Sequence, residues 1–255
     1  MEAGVFDLSD RVVVVTGGNA GIGLGMARAL VAAGATVSVW GRRADRNDAA
    51  VAELEALGGT AGSEIVDVAE ENQVESAMAA TLERFGRVDT MIANAGMGGA
   101  AAMLDQTLEG WRRVLAVNLD GAFLCFRAAT RHMVDRGGGG ALVAVSSTSA
   151  IHGAAGNQAY SVSKTGLLAL VRGLAVEFAR HGIRANSLLP GWTETEMTEP
   201  LLGWEKFTSA TTSRTPVRRW GVPDDYGAAA VFLSDPTLTF HTGDSVVVDG
   251  GYTIF

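Results

Sequence analysis

Tyr160 and Lys164 stand four residues apart in the segment YSVSK. That spacing puts both on one face of a helix. An ammonium fixed beside a phenol favours the phenolate and is expected to lower the tyrosine pKa. Such a tyrosine is a usable proton donor or acceptor near neutral pH. Ser147 lies 13 residues upstream of Tyr160, at the end of the run ALVAVSS. Near the N-terminus VVVVT is followed by Gly17-Gly-Asn19-Ala-Gly21-Ile22-Gly23. In that loop Gly17 permits a tight turn, Gly21 lets backbone approach a phosphate, and Gly23 lets a helix pack closely on the strand. A helix starting near Ile22 presents free N–H groups, a place for a pyrophosphate. The loop lacks the strict G-x-G-x-x-G spacing, and alone it would be read equally well as an ordinary strand–turn–helix corner. Together the groups predict a hydride-carrying cofactor beside an acid–base tyrosine. A hydrolase triad of Ser147, His152 and an acid is set aside, because there is no G-x-S-x-G elbow and no evident acid to orient His152.

The chain that must position these groups has 255 residues, 47% hydrophobic and 19% charged, a globular composition. Its net charge of -8 disfavours a nucleic-acid partner. One cysteine, Cys125, allows neither an intramolecular disulfide nor a cysteine-based metal site, and reads as a small buried hydrophobe. His132, His152, His181 and His241 show no metal-ligand spacing, so no metal is expected. No apolar run approaches membrane-spanning length, and residues 1–7 lack the pattern of a signal peptide. The expectation is a soluble cytoplasmic protein with no membrane partner.

Short apolar runs alternate with longer helical stretches, the pattern of βαβ units. Strands are expected at 12–16, 36–40, 63–66, 88–93, 141–146, 183–189 and 244–248. Helices are expected at 22–33, 44–57, 70–85, 158–180 and 224–233, and one or two at 108–134 with Gly121 as a weak point. Residues 190–216 read as irregular, and Gly137 to Gly140 as a flexible connection without function. The fold class is α/β, a Rossmann-like doubly wound parallel sheet of about seven strands with helices on both faces, a three-layer sandwich. No linker divides the chain, so residues 1–255 are expected to be one domain.

The second strand ends at Trp40-Gly41-Arg42-Arg43. An acid there would hold the ribose hydroxyls of NAD, whereas the Arg42 guanidinium suits a 2′-phosphate. NADP is therefore preferred over NAD. The alternative is that Arg42 and Arg43 open a solvated helix or stack on the adenine with NAD bound.

With these motifs in order, the chain resembles the classical short-chain dehydrogenase/reductase family over essentially its whole length. The resemblance rests on TGGNAGIG at 16–23, Asp67-Val68, NAG at 94–96, Asn118, Ser147 with YSVSK, and Pro190-Gly191 leading to Thr195. It implies a cofactor cradle of Gly17, Asn19, Gly21, Ile22 and Gly23. It also implies Asp67 and Val68 on the adenine, and Asn94 and Gly96 lining the cofactor. Thr193, through its backbone, and the Thr195 hydroxyl would hold the carboxamide. Tyr160 would be the general acid–base group and Ser147 would hydrogen-bond the substrate oxygen. Lys164 would hold the nicotinamide ribose and lower the tyrosine pKa, and Asn118 would hold a water linking Lys164 to solvent. The segment 190–216, with Trp192, Trp204 and Phe207, would be a mobile lid; packing of these aromatics against the body fits the sequence equally well. A homotetramer is implied.

The substrate would be a small secondary alcohol or ketone. A 3-oxoacyl-carrier-protein reductase and a polyol or sugar-acid dehydrogenase are both compatible. The first needs a basic patch, for which Arg131, Arg136, Arg172 and Arg180 are candidates. The second needs a cation inside the pocket, and no single residue stands out. An enoyl reductase ranks low, because such relatives usually space the tyrosine and lysine further apart. A cofactor-binding protein without catalysis is the reading from a different class. The complete Asn118, Ser147, Tyr160 and Lys164 set argues against it.

Overall fold

The computed structural model describes residues 6–255; most of the N-terminal stretch read above for a leader, residues 1–5, lies outside them. Seven strands form one sheet: β1 (Val12–Thr16), β2 (Thr36–Gly41), β3 (Ala61–Ile65), β4 (Thr90–Ala93), β5 (Gly140–Val145), β6 (Ile183–Pro190) and β7 (Ser245–Val248). Their order is β3-β2-β1-β4-β5-β6-β7 and every neighbouring pair is parallel. The helices are α1 (Gly21–Ala32), α2 (Ala44–Ala56), α3 (Glu71–Phe85), α4 (Leu108–Leu115), α5 (Gly121–Arg136), α6 (Gln158–Phe178), α7 (Glu199–Leu202), α8 (Glu205–Arg214) and α9 (Gly227–Ser234).

The strands read as unbroken apolar runs because helices cover both faces. Side chains alternate between two cores. Val14, Met91, Leu142 and Ala144 pack with residues of α3, α5 and α6. Val13, Val15, Val143 and Val145 pack with residues of α1, α2 and α9. The expected three-layer, doubly wound α/β fold is therefore the observed one.

Local differences have physical causes. β3 starts at Ala61, two residues earlier than expected, because Ala61 and Gly62 pair with Val37 and Ser38. The stretch 108–134 is two helices joined by a π-helical turn at Ala116–Asp120. The interruption ends at Gly121, where α5 begins and where a Cβ would stand 2.8 Å from Val68 Cγ2, so the expected weak point is also a close contact. The glycine turn is fitted too: Gly137, Gly138 and Gly139 all have positive φ, and Arg136 donates to the Gly139 carbonyl at 2.8 Å. Residues 190–216 are not wholly irregular, because α7 and α8 lie within them. Trp192 stacks on Trp220 with ring centroids 5.4 Å apart and meets Phe207 edge-on at 5.0 Å. These aromatics thus pack on one another, anchoring α8 to the segment that follows it.

Candidate active site

Where the strand order reverses, between β1 and β4, a crevice opens at the carboxyl ends of the strands. It has a volume of about 900 Å³, and every candidate residue except Asn118 lines it. The glycine loop forms one end. Gly17 and Gly21 have φ of +63° and +49°, values that favour glycine. A Cβ at Gly23 would stand 2.2 Å from the Gly17 carbonyl oxygen, so the cradle closes only around a glycine. No side chain caps α1, whose N-cap is Ala20, so its first-turn amides are left for an anion. Asn94 ties the loop after β4 to this cradle: its Nδ2 donates to the Thr16 carbonyl at 2.8 Å and its N–H to Thr16 Oγ1 at 3.0 Å.

Ser147, Tyr160 and Lys164 form the other end. Ser147 follows β5 in extended conformation. Two bonds fix α6 to the end of that strand. Ser146 Oγ donates to the Lys164 carbonyl at 2.8 Å, and Lys164 Nζ donates to the Val145 carbonyl at 2.8 Å. The ammonium lies 5.6 Å from the centroid of the Tyr160 ring. Burial pushes Lys164 down to about 8. It also pushes the Tyr160 phenol up, with the Ser147 side chain pulling the other way. The expected lowering of the tyrosine by Lys164 is therefore corrected: desolvation is the largest influence on the phenol and only the Ser147 side chain opposes it.

Asn118 is 1% exposed and sits beneath the crevice floor. Its Oδ1 accepts from Met97 N–H at 2.8 Å, and its Nδ2 donates to the Met97 carbonyl at 3.0 Å and to Ser163 Oγ at 3.1 Å. Its side chain is thus engaged by protein groups. Gly96 lies over it, with a hypothetical Cβ 3.3 Å from both Asn118 Oδ1 and Lys164 Nζ.

At the end of β2 the structure adds a reason for the missing acid. A Cβ on Gly41 would stand 2.3 Å from Asn19 Nδ2 and 2.6 Å from Asn47 Oδ1. Asn19 donates to Asn47 at 2.6 Å, and buried Asn47 donates to the Gly41 and Glu64 carbonyls, each at 3.0 Å. An aspartate at 41 would displace this pair. Arg42 is 70% exposed, 3.9 Å from the Asp67 carboxylate. Opposite, Pro190 ends β6, and Gly191, Thr193 and Thr195 follow it into the crevice wall. Thr193 Oγ1 bonds the Gly191 carbonyl at 3.0 Å, and Thr195 N–H donates to Thr198 Oγ1 at 3.1 Å. A Cβ on Gly21 would meet Thr195 Cγ2 at 3.3 Å, so this wall touches the cradle.

Sequence reasoning missed several lining residues, among them Met97, Arg113, Met197 and Thr198. It also missed the pair of Arg46 on α2 and Glu196, which joins the two rims at 2.5 Å across 150 positions of sequence. Cys125 is buried, its thiol pushed up to about 12. Among the described residues no group of histidines, cysteines and carboxylates could hold a metal, and no helix is long and apolar enough to cross a membrane.

Residues 17–253 match the family described as Enoyl-(Acyl carrier protein) reductase. The chain is 36% identical over 250 residues to gluconate 5-dehydrogenase of Gluconobacter oxydans, covering 98% of this chain and 97% of that protein. It is 38% identical over 248 residues to L-rhamnose 1-dehydrogenase (NAD(P)(+)) of Azotobacter vinelandii, covering 96% and 97%. The crystal structure of a gluconate 5-dehydrogenase from Burkholderia cenocepacia in complex with NADP and tartrate superposes with a TM-score of 0.94 at 33% identity, covering 98% of each chain. Fold, crevice and relatives agree that the chain belongs to the short-chain dehydrogenase/reductase family of oxidoreductases.

Proposed function

We propose that this chain interconverts a small secondary alcohol and its ketone with NADP as the preferred dinucleotide and NAD as the second choice. The observation that carries the reading is one crevice with the glycine cradle at one end and Ser147, Tyr160 and Lys164 at the other. The residues fit a dinucleotide. Gly17, Asn19, Gly21, Ile22 and Gly23 would take the pyrophosphate, Asp67 and Val68 the adenine, Arg42 the 2′-phosphate, and Asn94, Gly96, Pro190, Gly191, Thr193 and Thr195 the nicotinamide half. When bound, the nicotinamide supplies or accepts the hydride. In reduction Tyr160 gives its proton to the substrate oxygen, and in oxidation it takes one. The raised phenol pKa keeps Tyr160 protonated and ready to act as an acid. Ser147 donates a hydrogen bond to the same oxygen, where charge develops. Lys164 neutralises the phenolate left by the transfer and holds the ribose hydroxyls. A relay water near Asn118 would be held by backbone, because the Asn118 side chain is already bonded. We read residues 1–255 as one domain, with 190–216 as its substrate lid.

Two features favour a sugar-type or other small alcohol over an acyl-carrier substrate. The relatives above act on gluconate and L-rhamnose by name at 36% and 38% identity, against 32% and 33% for the 3-oxoacyl-[acyl-carrier-protein] reductases that the chain also matches. Of the arginines a basic docking patch would use, Arg131 lies 3.4 Å from Glu75 and Arg136 lies 3.1 Å from Asp89.

We further read the protein as a cytoplasmic homotetramer. An apolar groove of about 550 Å³ between α5 and α6 is lined by Phe123, Phe126, Val134, Leu170, Leu174 and Phe178. A second apolar set, Phe240, Val247, Ile254 and Phe255, is exposed elsewhere. Exposed apolar patches of this kind mark interfaces. Sedimentation of a monomer at micromolar concentration would overturn the assembly.

Thermal-shift titration with NADPH and NADH in parallel tests the cofactor. Ligand at about a hundred times its dissociation constant stabilises a fold by roughly 2.7 kcal/mol. NADPH is expected to give the larger shift. Arg42→Ala is expected to weaken NADPH about tenfold more than NADH, the scale of one partly exposed charge-assisted bond. Equal weakening of both would assign Arg42 to the adenine or ribose.

A further inference from the structure

One cluster beside the crevice serves neither the dinucleotide cradle nor the proton transfer. His152 lies five residues beyond Ser147, just past the short helical turn Thr148–Ala150. Its Nε2 is buried and has no hydrogen-bond partner among the described residues, and its Nδ1 has only the Gly153 carbonyl at 3.4 Å. Its ring centroid lies 5.5 Å from that of Tyr252. The Arg214 guanidinium, at the end of α8, stands 4.4 Å from the centroid of the same Tyr252 ring. Arg214 is exposed and makes no ion pair among the described residues, whereas nearby Arg219 is paired with Asp225 at 2.6 Å.

Three segments that bring these groups together all leave the crevice wall. The His152 loop continues from Ser147. The turn carrying Tyr252 packs against Gly191, where a Cβ would stand 2.7 Å from Asp249 Cα. A Cβ on Gly251 would stand 2.8 Å from Pro216 Cγ, just after α8, so the same turn also packs on the end of the lid. The dinucleotide cradle occupies the β1 and β2 side of the crevice. His152, Arg214 and Tyr252 stand past the carboxyl ends of β5 to β7, the same end of the sheet as Ser147 and Tyr160, just outside the residues that line the crevice.

The chemistry of the cluster is specific. An arginine stacked on an aromatic ring has its fork pre-oriented and its charge retained. A guanidinium with an unused imidazole nitrogen suits a carboxylate, which accepts from both. The surrounding lid is acidic, with Glu194, Glu196, Glu199 and Glu205, and the chain carries a net charge of -8. An anion held here needs a local cation, and Arg214 is one. We propose that Arg214 and His152, gathered on Tyr252, bind the carboxylate of the substrate, which is then a secondary hydroxy acid or its oxo acid and not a neutral sugar or an acyl thioester. The inference rests on the oxidoreductase reading above.

The test is calorimetric binding to the NADP complex of the Tyr160→Phe variant, which separates binding from turnover. The ligands are D-gluconate against D-glucitol, and 4-hydroxycyclohexanecarboxylate against its methyl ester. The acids are expected to bind about 10–100-fold tighter than their neutral partners. Arg214→Gln is expected to remove most of that preference, Arg214→Lys to keep part of it, and His152→Ala to reduce it. Steady-state KM ratios for any acid and neutral pair turned over by the enzyme with Tyr160 intact are expected to follow the same order. No preference for the acids, or a preference that survives Arg214→Gln, overturns the proposal. Turnover of neutral alcohols without carboxylate preference sinks this inference and leaves the oxidoreductase reading standing. Carboxylate preference in a protein that turns over no alcohol or ketone does the reverse.

Discussion

Tyr160→Phe is expected to lower kcat by about 10²–10⁴-fold, the contribution of one positioned acid–base group. NADPH affinity is expected to stay near that of the unchanged protein. The substitution removes one oxygen. It leaves the ring in place on α6, the Lys164 ammonium with its bond to the Val145 carbonyl, and the glycine cradle at the far end of the crevice. Ser147 remains to orient the substrate, so KM should change less than kcat. The pH profile supplies a second readout. The tyrosine pKa is raised by burial. Oxidation, which needs the phenolate, should therefore quicken as pH rises toward that pKa, and reduction, which needs the phenol, should slow. Both limbs should vanish in the variant. A variant that keeps turnover within tenfold of the parent, with the same pH limbs, would place the proton transfer on another group.

The sign of that tyrosine shift shows where sequence reading stops. Spacing places Lys164 near Tyr160, and charge alone then argues for a lowered pKa. What spacing does not contain is how much water the fold removes. The bond from Lys164 to Val145 and the close lie of Gly96 over the ammonium belong to tertiary packing. The same limit explains other differences. The glycine loop and the alternating strands were legible because each depends on neighbours in sequence. The break before Gly121 is legible in the glycine itself, whereas its close contact with Val68 is not, because the two are 53 positions apart. Helices α7 and α8 lack a clear apolar period, and α8 is anchored by Phe207 meeting the stacked Trp192 and Trp220 edge-on. The Arg46–Glu196 pair exists only because the segment after β6 returns over α2. Arg214 is unremarkable in the chain and becomes a binding candidate only against Tyr252.

Lys164→Met is expected to move stability and activity in opposite directions. Lys164 is 4% exposed and lacks a carboxylate partner among the described residues, and burial holds its pKa at about 8, down from 10.5. Between those two values the unfolded chain binds more protons than the folded one, so the stability of the unsubstituted protein rises with pH across that window. Below pH 8 both states are protonated and the full penalty for burying the ammonium remains. Above 10.5 neither is, and the penalty is gone. The difference of about 2.5 units corresponds to on the order of 3 kcal/mol at pH 7. The lost bond to the Val145 carbonyl offsets about 1 kcal/mol of it. Cofactor-free Lys164→Met protein should therefore be the more stable form at pH 7 in urea unfolding, with the gap shrinking as pH climbs from 8 toward 10.5. Its turnover should fall by about a hundredfold or more, because nothing then neutralises the Tyr160 phenolate. A variant less stable than its parent at pH 7 would show that the ammonium is better compensated than its surroundings indicate. A more stable but inactive variant would show that this crevice keeps a destabilising charge buried because proton transfer at Tyr160 requires it.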